Sequence, residues 1–259
     1  MPFLELSNGS IHYELSGPEQ APALLFSNSL GTDLAMWDPQ ASVLSQQFRV
    51  VRYDTRGHGQ SAVTAGPYAI DQLVVDVIEL LDFLKLRQVY FCGLSIGGMI
   101  GMTLALRSAA RLHKIVLCST APKIGTTETW NTRIETVRKG GMAAVVDGVL
   151  QRWYTADFRS KSPQTIESTR QSLLKTPVEG YVAGCAAVRD ADMREAISGI
   201  RVPTLIITGA HDPVTTPADG RFIESQIAGA KSRELPAAHL CNIEAAAAFT
   251  RELCSFLKG

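Results

Sequence analysis

Three observations predict an α/β fold: a mostly parallel sheet with helices on both faces, an antiparallel hairpin at one edge, and an inserted helical lid. Short apolar runs without strict polar alternation recur at 22–27, 49–54, 88–93, 113–118 and 203–209, the pattern of strands covered on both faces. Helix-period stretches separate them, and strand–helix–strand alternation gives a parallel sheet joined by right-handed crossovers. The alternation stops between about 122 and 200 and resumes afterwards, which predicts an insertion into the sheet domain.

The elements follow in order. Two short runs, 3–6 and 11–15, flank Ser7-Asn8-Gly9-Ser10, a hairpin signal that places an antiparallel ribbon at a sheet edge. Pro22-Ala-Leu-Leu-Phe-Ser27 and Arg49-Val-Val-Arg-Tyr-Asp54 are the next strands. From 70 to 84, apolar side chains fall at 70, 73, 74, 77, 78, 81 and 84, a 3.6-period stripe that predicts an amphipathic helix. After the strand 88–93, residues 96–106 are apolar nearly all round and read as a buried helix. The strand 113–118 precedes the insertion, where amphipathic stretches hold Trp130, Trp153, Tyr154 and Tyr181. The strand 203–209 and a short run at 232–235 return to the sheet. A closing helix at 243–257 turns Phe249, Leu253, Phe256 and Leu257 inward. The expected division is core at 1–121, lid at 122–200 and core again at 201–259.

Composition narrows the class. Hydrophobic residues form 46% of the 259, enough to build a core and to argue against disorder. Twenty-five Lys and Arg balance 25 Asp and Glu, so no global field favours nucleic acid or an anionic membrane. The first residues, Met-Pro-Phe-Leu-Glu-Leu-Ser-Asn-Gly, lack the basic and apolar regions of a secretory signal. No apolar run nears the roughly 18–20 residues of a membrane span. A soluble, cytoplasmic protein is expected. Five cysteines, an odd number without a C-x-x-C pair, argue for free thiols over a disulfide framework or a zinc ribbon. No metal site is expected.

Gly93-Leu94-Ser95-Ile96-Gly97 has G-x-S-x-G spacing. It follows a predicted strand and opens a predicted helix, the context that gives this motif its meaning. A serine on so sharp a turn needs neighbours without side chains two residues before and after, and Gly93 and Gly97 meet that need. The turn lifts the hydroxyl above the carboxyl end of the strand, where open α/β sheets bind ligands. The helix N-terminus offers free N–H groups to a developing oxyanion. The Ile96 amide is one expected donor. The other comes from the loop Ser27-Asn-Ser-Leu-Gly-Thr32, with Leu30 at the donor position.

A serine nucleophile needs a base, and the base an orienting carboxylate. This fold delivers the acid and then the histidine late in the chain. Asp212 follows the strand at 203–209, and His239 precedes the closing helix, so both emerge at the Ser95 edge of the sheet. His12 lies in the hairpin, His113 at a strand base, and His211 precedes the acid and breaks the order. His58 belongs to a loop network beside the site. Asp190 and Asp192 lie in the lid and Asp219 in a helix, which leaves Asp212.

These residues identify a resemblance. The chain resembles α/β-hydrolases throughout, and specifically 3-oxoadipate enol-lactonases. The match is carried by Ser27-Asn-Ser-Leu-Gly-Thr32, Met36-Trp-Asp-Pro-Gln40, Asp54-Thr-Arg-Gly-His-Gly59 and Gly93-Leu-Ser-Ile-Gly-Gly-Met-Ile-Gly101. In the lid it is carried by Arg152-Trp-Tyr-Thr155, Tyr181 and Gly184-Cys-Ala-Ala-Val-Arg-Asp-Ala-Asp192, and later by Gly209-Ala-His-Asp-Pro-Val214 and Ala238-His-Leu-Cys-Asn-Ile243. Many hydrolases of this fold carry His-Gly where this chain has Asn28-Ser29. That variant and the lid strings are the more specific part, and Ser29 joins the substrate-binding candidates on this ground.

The resemblance implies hydrolysis of the five-membered enol-lactone of 3-oxoadipate, in protocatechuate breakdown, without a cofactor. Its partner is a small lactone bearing a carboxylate, which a mostly apolar pocket must neutralise. Arg133 is the candidate clamp, because a guanidinium can bind a carboxylate in bidentate fashion. Arg138, Arg152 and Arg189 compete with it, and Trp130 and Trp153 are expected to wall the pocket. A general carboxylesterase or perhydrolase of the same fold is the alternative enzyme, and a non-catalytic lidded receptor the alternative of another class. Haloalkane dehalogenation needs an aspartate where this chain has Ser95.

Overall fold

The computed structural model describes residues 2–259. Its eight strands are β1 (Phe3–Leu6), β2 (Gly9–Ser16), β3 (Ala23–Ser27), β4 (Arg49–Tyr53), β5 (Val89–Leu94), β6 (Leu112–Cys118), β7 (Thr204–Gly209) and β8 (Lys231–Leu235). They form one sheet in the order β1-β2-β4-β3-β5-β6-β7-β8, antiparallel at β1–β2 and β2–β4 and parallel from β4 to β8. The hairpin turn is tighter than its four-residue signal, since Leu6 already pairs with Gly9.

Burial explains the strand patterns. All of β3 and β7 is buried, so these strands read as unbroken apolar runs. The edge strand β8, Lys-Ser-Arg-Glu-Leu, is largely exposed and charged, which discourages further strand pairing.

The helices before the insertion are α1 (Asp38–Leu44), α2 (Ile70–Phe83) and α3 (Ile96–Arg107). In α2 the buried stripe runs through Ile70, Leu73, Val74, Val77, Leu80 and Leu81, while Ile78 and Leu84 are only half-buried. Asp76 is buried on the same helix because the Arg56 guanidinium grips both of its oxygens. From Ile96 to Ala105 every residue of α3 is buried, as its sequence predicts.

Between β6 and β7 come α4 (Thr127–Gly140), α5 (Val146–Trp153), α6 (Ala156–Lys161), α7 (Pro163–Lys175) and α8 (Val178–Asp190), with no strand. Helix α9 (Pro217–Gln226) follows β7. The closing helix is broken into α10 (Cys241–Glu244) and α11 (Ala246–Lys258), because Ala245, at φ −114° and ψ 40°, leaves the helical region. Phe249, Leu253 and Leu257 are buried as expected, but Phe256 is half-buried under the Lys114 ammonium. No helix among the described residues is long and apolar enough to cross a membrane.

Candidate active site

Ser95 stands between β5 and α3 with φ 60° and ψ −116°, a strained conformation for a residue with a side chain. The turn is crowded. A Cβ on Gly93 would lie 2.2 Å from the Gly97 carbonyl oxygen, and one on Gly97 would lie 2.3 Å from that of Ser27. From the β6 side, the Ser95 amide donates to the Cys118 carbonyl at 2.9 Å and the Thr120 hydroxyl donates to the Ser95 carbonyl at 2.7 Å. The backbone is therefore held while the hydroxyl is left over: among the described residues it has no hydrogen-bond partner.

Asp212 and His239 meet at the ends of neighbouring strands. Asp212 follows β7 and His239 follows β8, and the imidazole Nδ1 donates to Asp212 Oδ2 at 2.8 Å. The rest of the carboxylate is occupied as well. Oδ1 accepts the Val214 and Thr215 amides at 2.7 and 3.1 Å, and Oδ2 accepts the Thr215 hydroxyl at 2.8 Å. Burial pushes this carboxyl up, but the charge and hydrogen bond of His239 and the two Val214 and Thr215 donors outweigh it, and its pKa is held below 3.8. With Nδ1 so used, Nε2 is the nitrogen left to act as a base. It makes no hydrogen bond to Ser95 in this structure, as is common before substrate tightens a site. Thr215 carries no motif of its own; its place three residues after an acid in a turn is its only signal.

The remaining histidines take other duties. His12 is buried against Asp54, with Nδ1 2.7 Å from Oδ2. His58 Nδ1 donates to the Arg56 carbonyl at 3.1 Å, and burial lowers the pKa of its ring. A Cβ on Gly184 of α8 would touch both Leu30 and the His58 ring, so His58 does border the loop after β3.

That loop is tied to the Ser95 turn. Its Asn28 carbonyl accepts the Gly97 amide at 3.1 Å. The Asn28 side chain accepts Trp37 Nε1 at 3.0 Å and donates to the Tyr53 carbonyl at 2.7 Å, so an amide does the anchoring at this position. The Ser29 carbonyl accepts the Thr32 amide and hydroxyl, and its own hydroxyl has no hydrogen-bond partner among the described residues. The Leu30 and Ile96 amides, both in buried residues, are likewise without an acceptor among the described residues. Each of the two tied segments therefore carries one N–H group that no protein acceptor uses.

Two arginines of the insertion come together around Tyr181. Arg133 donates to the Tyr181 hydroxyl at 3.1 Å, and the Tyr181 ring lies against Gly31, where a Cβ would come within 3.0 Å of it. Arg152 is close enough that burial and the Arg133 charge together lower its pKa. Burial pushes Tyr181 up to about 12. Among the described residues neither Arg133 nor Arg152 has a carboxylate partner. Arg189 differs, being bound to Asp190 and Asn131. Arg138 is exposed on α4, at a groove shared with residues of α8. Trp153 lines a cavity of about 400 Å³ with Leu240, Met36 and residues of α7. Trp130 does not line it; its indole donates to the Ile124 carbonyl at 2.7 Å.

Comparison with known proteins agrees with this architecture. The family model of the alpha/beta hydrolase fold matches residues 22–246. Two relatives from Acinetobacter baylyi, 3-oxoadipate enol-lactonases 1 and 2, are 42% and 40% identical over 96% of this chain and 93% of theirs. The crystal structure of the enol-lactonase from Burkholderia xenovorans LB400 superposes over all of both chains, with a TM-score of 0.98 and 46% identity. This chain belongs to the α/β-hydrolase family and, within it, to the enol-lactonases.

Proposed function

We propose that this protein opens the enol-lactone of 3-oxoadipate with Ser95 as nucleophile, His239 as general base and Asp212 as its orienting acid. The observation that carries the reading is the Asp212–His239 hydrogen bond, made at the same sheet edge as Ser95 and leaving Nε2 free. His239 Nε2 takes the Ser95 proton as Oγ attacks the lactone carbonyl. The Leu30 and Ile96 amides receive the oxyanion. The ring C–O bond then breaks, and the leaving oxygen takes the proton from the imidazolium to give an enol that becomes the ketone. Because the leaving group stays tethered to the acyl chain, water must hydrolyse the Ser95 ester, with His239 again as base. No step calls for a cofactor.

The same reading gives the insertion the role of a lid over residues 122–200. Arg133 binds the free carboxylate of the lactone, and Arg152, also without an acid, shares that anion. Trp153 walls the pocket and the unpartnered Ser29 hydroxyl is left for the substrate, while Trp130, engaged with the Ile124 carbonyl, takes no part. The reaction belongs to the breakdown of aromatic compounds through protocatechuate.

The test is turnover of the enol-lactone beside a neutral nitrophenyl ester. Ser95→Ala is expected to abolish both activities. Arg133→Ala is expected to lower kcat/KM on the charged lactone about 30-fold or more, in line with about 2 kcal/mol or more for a buried charge pair, and to spare the ester. Lactone opening that survives in Ser95→Ala would exclude the serine route. Equal losses on both substrates would remove the Arg133 clamp.

A further inference from the structure

The backbone on either side of His239 is bonded to the helical insertion, and one side chain makes half of that link. Glu244, the last residue of α10, is half-buried and turns back toward the loop it follows. Its Oε2 accepts the Ala238 amide at 2.9 Å. Both oxygens lie 3.3 Å from the Thr155 amide, and Oε1 also accepts the Thr155 hydroxyl. Thr155 is the N-cap of α6, 89 positions earlier, at the joint between α5 and α6. On the other side of His239, the Leu240 amide donates to the Trp153 carbonyl at 3.0 Å in the same joint. From the sheet, the His211 amide donates to the Ala237 carbonyl at 2.9 Å. Residues 237, 238 and 240 are thus each held, and His239 hangs between them with its ring on Asp212.

We infer that Glu244 is a positioning residue for the His239 imidazole, and that it sets the imidazole from the joint of the insertion. The inference rests on the serine-hydrolase reading above. Three donors from two segments converge on this side chain, and both of its oxygens serve as acceptors. A glutamine there keeps one acceptor and turns an NH₂ toward a donor. Either the Ala238 amide loses its partner, or the Thr155 hydroxyl, which already accepts the Phe158 amide, must turn to accept the NH₂ as well, and the peptide preceding His239 loosens. Asp212 still accepts Nδ1, and the fold is expected to be kept. What is lost is the placement of Nε2 relative to Ser95.

The experiment uses the full chain and the enol-lactone. Glu244→Gln is expected to lower kcat about 10-fold to 100-fold with KM little changed, the scale of a displacement of about 1 Å or less at a reacting group. The far-downfield proton resonance of the His239–Asp212 hydrogen bond is expected to shift or broaden, while the thermal midpoint stays within a few degrees of wild type. Thr155→Val removes the hydroxyl arm, together with the cap on the Phe158 amide of α6, and is expected to reproduce the effect more weakly; it carries the test should Glu244→Gln not fold. Wild-type kcat in these variants, or a kcat loss matched by unfolding with the resonance unmoved, would overturn the inference. Ser95→Ala run alongside separates the two readings. Activity surviving in Ser95→Ala sinks the serine route, whereas a dead Ser95→Ala beside a fully active Glu244→Gln sinks only the role of Glu244.

Discussion

The Asn28 carbonyl accepts the Gly97 amide at 3.1 Å, and this single bond joins the loop after β3 to the turn that presents Ser95. In the serine route this tie sets the Leu30 amide of the loop relative to the Ile96 amide of the turn. The glycine is needed because any side chain at 97 enters the space of the Ser27 and Asn28 carbonyls.

Gly97→Ala therefore tests the oxyanion geometry without touching a reacting atom. The added methyl lies 2.3 Å from the Ser27 oxygen, so the loop must retreat. Misplacing one donor is expected to lower kcat about 100-fold to 1,000-fold. Denaturant unfolding is expected to show a loss of about 1–3 kcal/mol, the ordinary cost of overpacking. Steady-state kinetics and an unfolding curve measure both.

Asp212→Asn keeps the size of the side chain and removes the acceptor that fixes the imidazole tautomer. An amide can instead donate to Nδ1, which leaves the proton on Nε2, the wrong nitrogen for a base. The expected kcat loss is about 10³-fold to 10⁴-fold with the fold retained. A loss under tenfold would mean that another group orients His239.

The same carboxylate makes stability depend on pH in a stated direction. Its folded pKa lies below 3.8, so on acidification the unfolded chain takes up the proton first. The stabilisation is complete above 3.8 and is lost as pH falls through the lower folded value. Asp54 acts the opposite way, since burial raises its pKa and the folded chain gains stability as that proton binds. Asp54 is common to both proteins, so the difference between wild type and Asp212→Asn isolates Asp212. Thermal midpoints from neutral pH downward are expected to fall more steeply for wild type below about pH 4.

Thiol accessibility checks the packing beneath the site. Cys92, Cys118, Cys185 and Cys241 are buried, and Cys254 is half-buried. Burial pushes Cys185 up to about 12 and raises Cys118 and Cys241 too, so their reactive thiolates are scarce at neutral pH. Ellman's reagent is expected to find one fast thiol in the native protein and five in guanidinium. Several fast native thiols would contradict this packing.

The strands and the Ser95 turn were legible because their signals are local: β3, β5, β6 and β7 are apolar runs, and a glycine stands two residues either side of Ser95. The order of Asp212 and His239 was legible from the topology that motif implies. Glu244 was not, because its partners at 155 and 238 meet it only after the chain has folded, and a glutamate at a helix end looks like any exposed charge. The surroundings of the four arginines also waited for the fold. Arg189 shows its acid next door in Asp190, but nothing local says that Arg133 and Arg152 come together around Tyr181. The break at Ala245 stayed hidden inside an alanine run, where intrinsic preference favours an unbroken helix.

In the proposed serine route the acyl group of the substrate passes through Ser95. Acid-quenching the enzyme during turnover of the enol-lactone and analysing its tryptic peptides by mass spectrometry tests this directly. The substrate's mass is expected on peptide 88–107, at Ser95, and the adduct is expected to disappear when substrate is exhausted. An adduct on another peptide, or undiminished lactone opening by Ser95→Ala, would contradict that route.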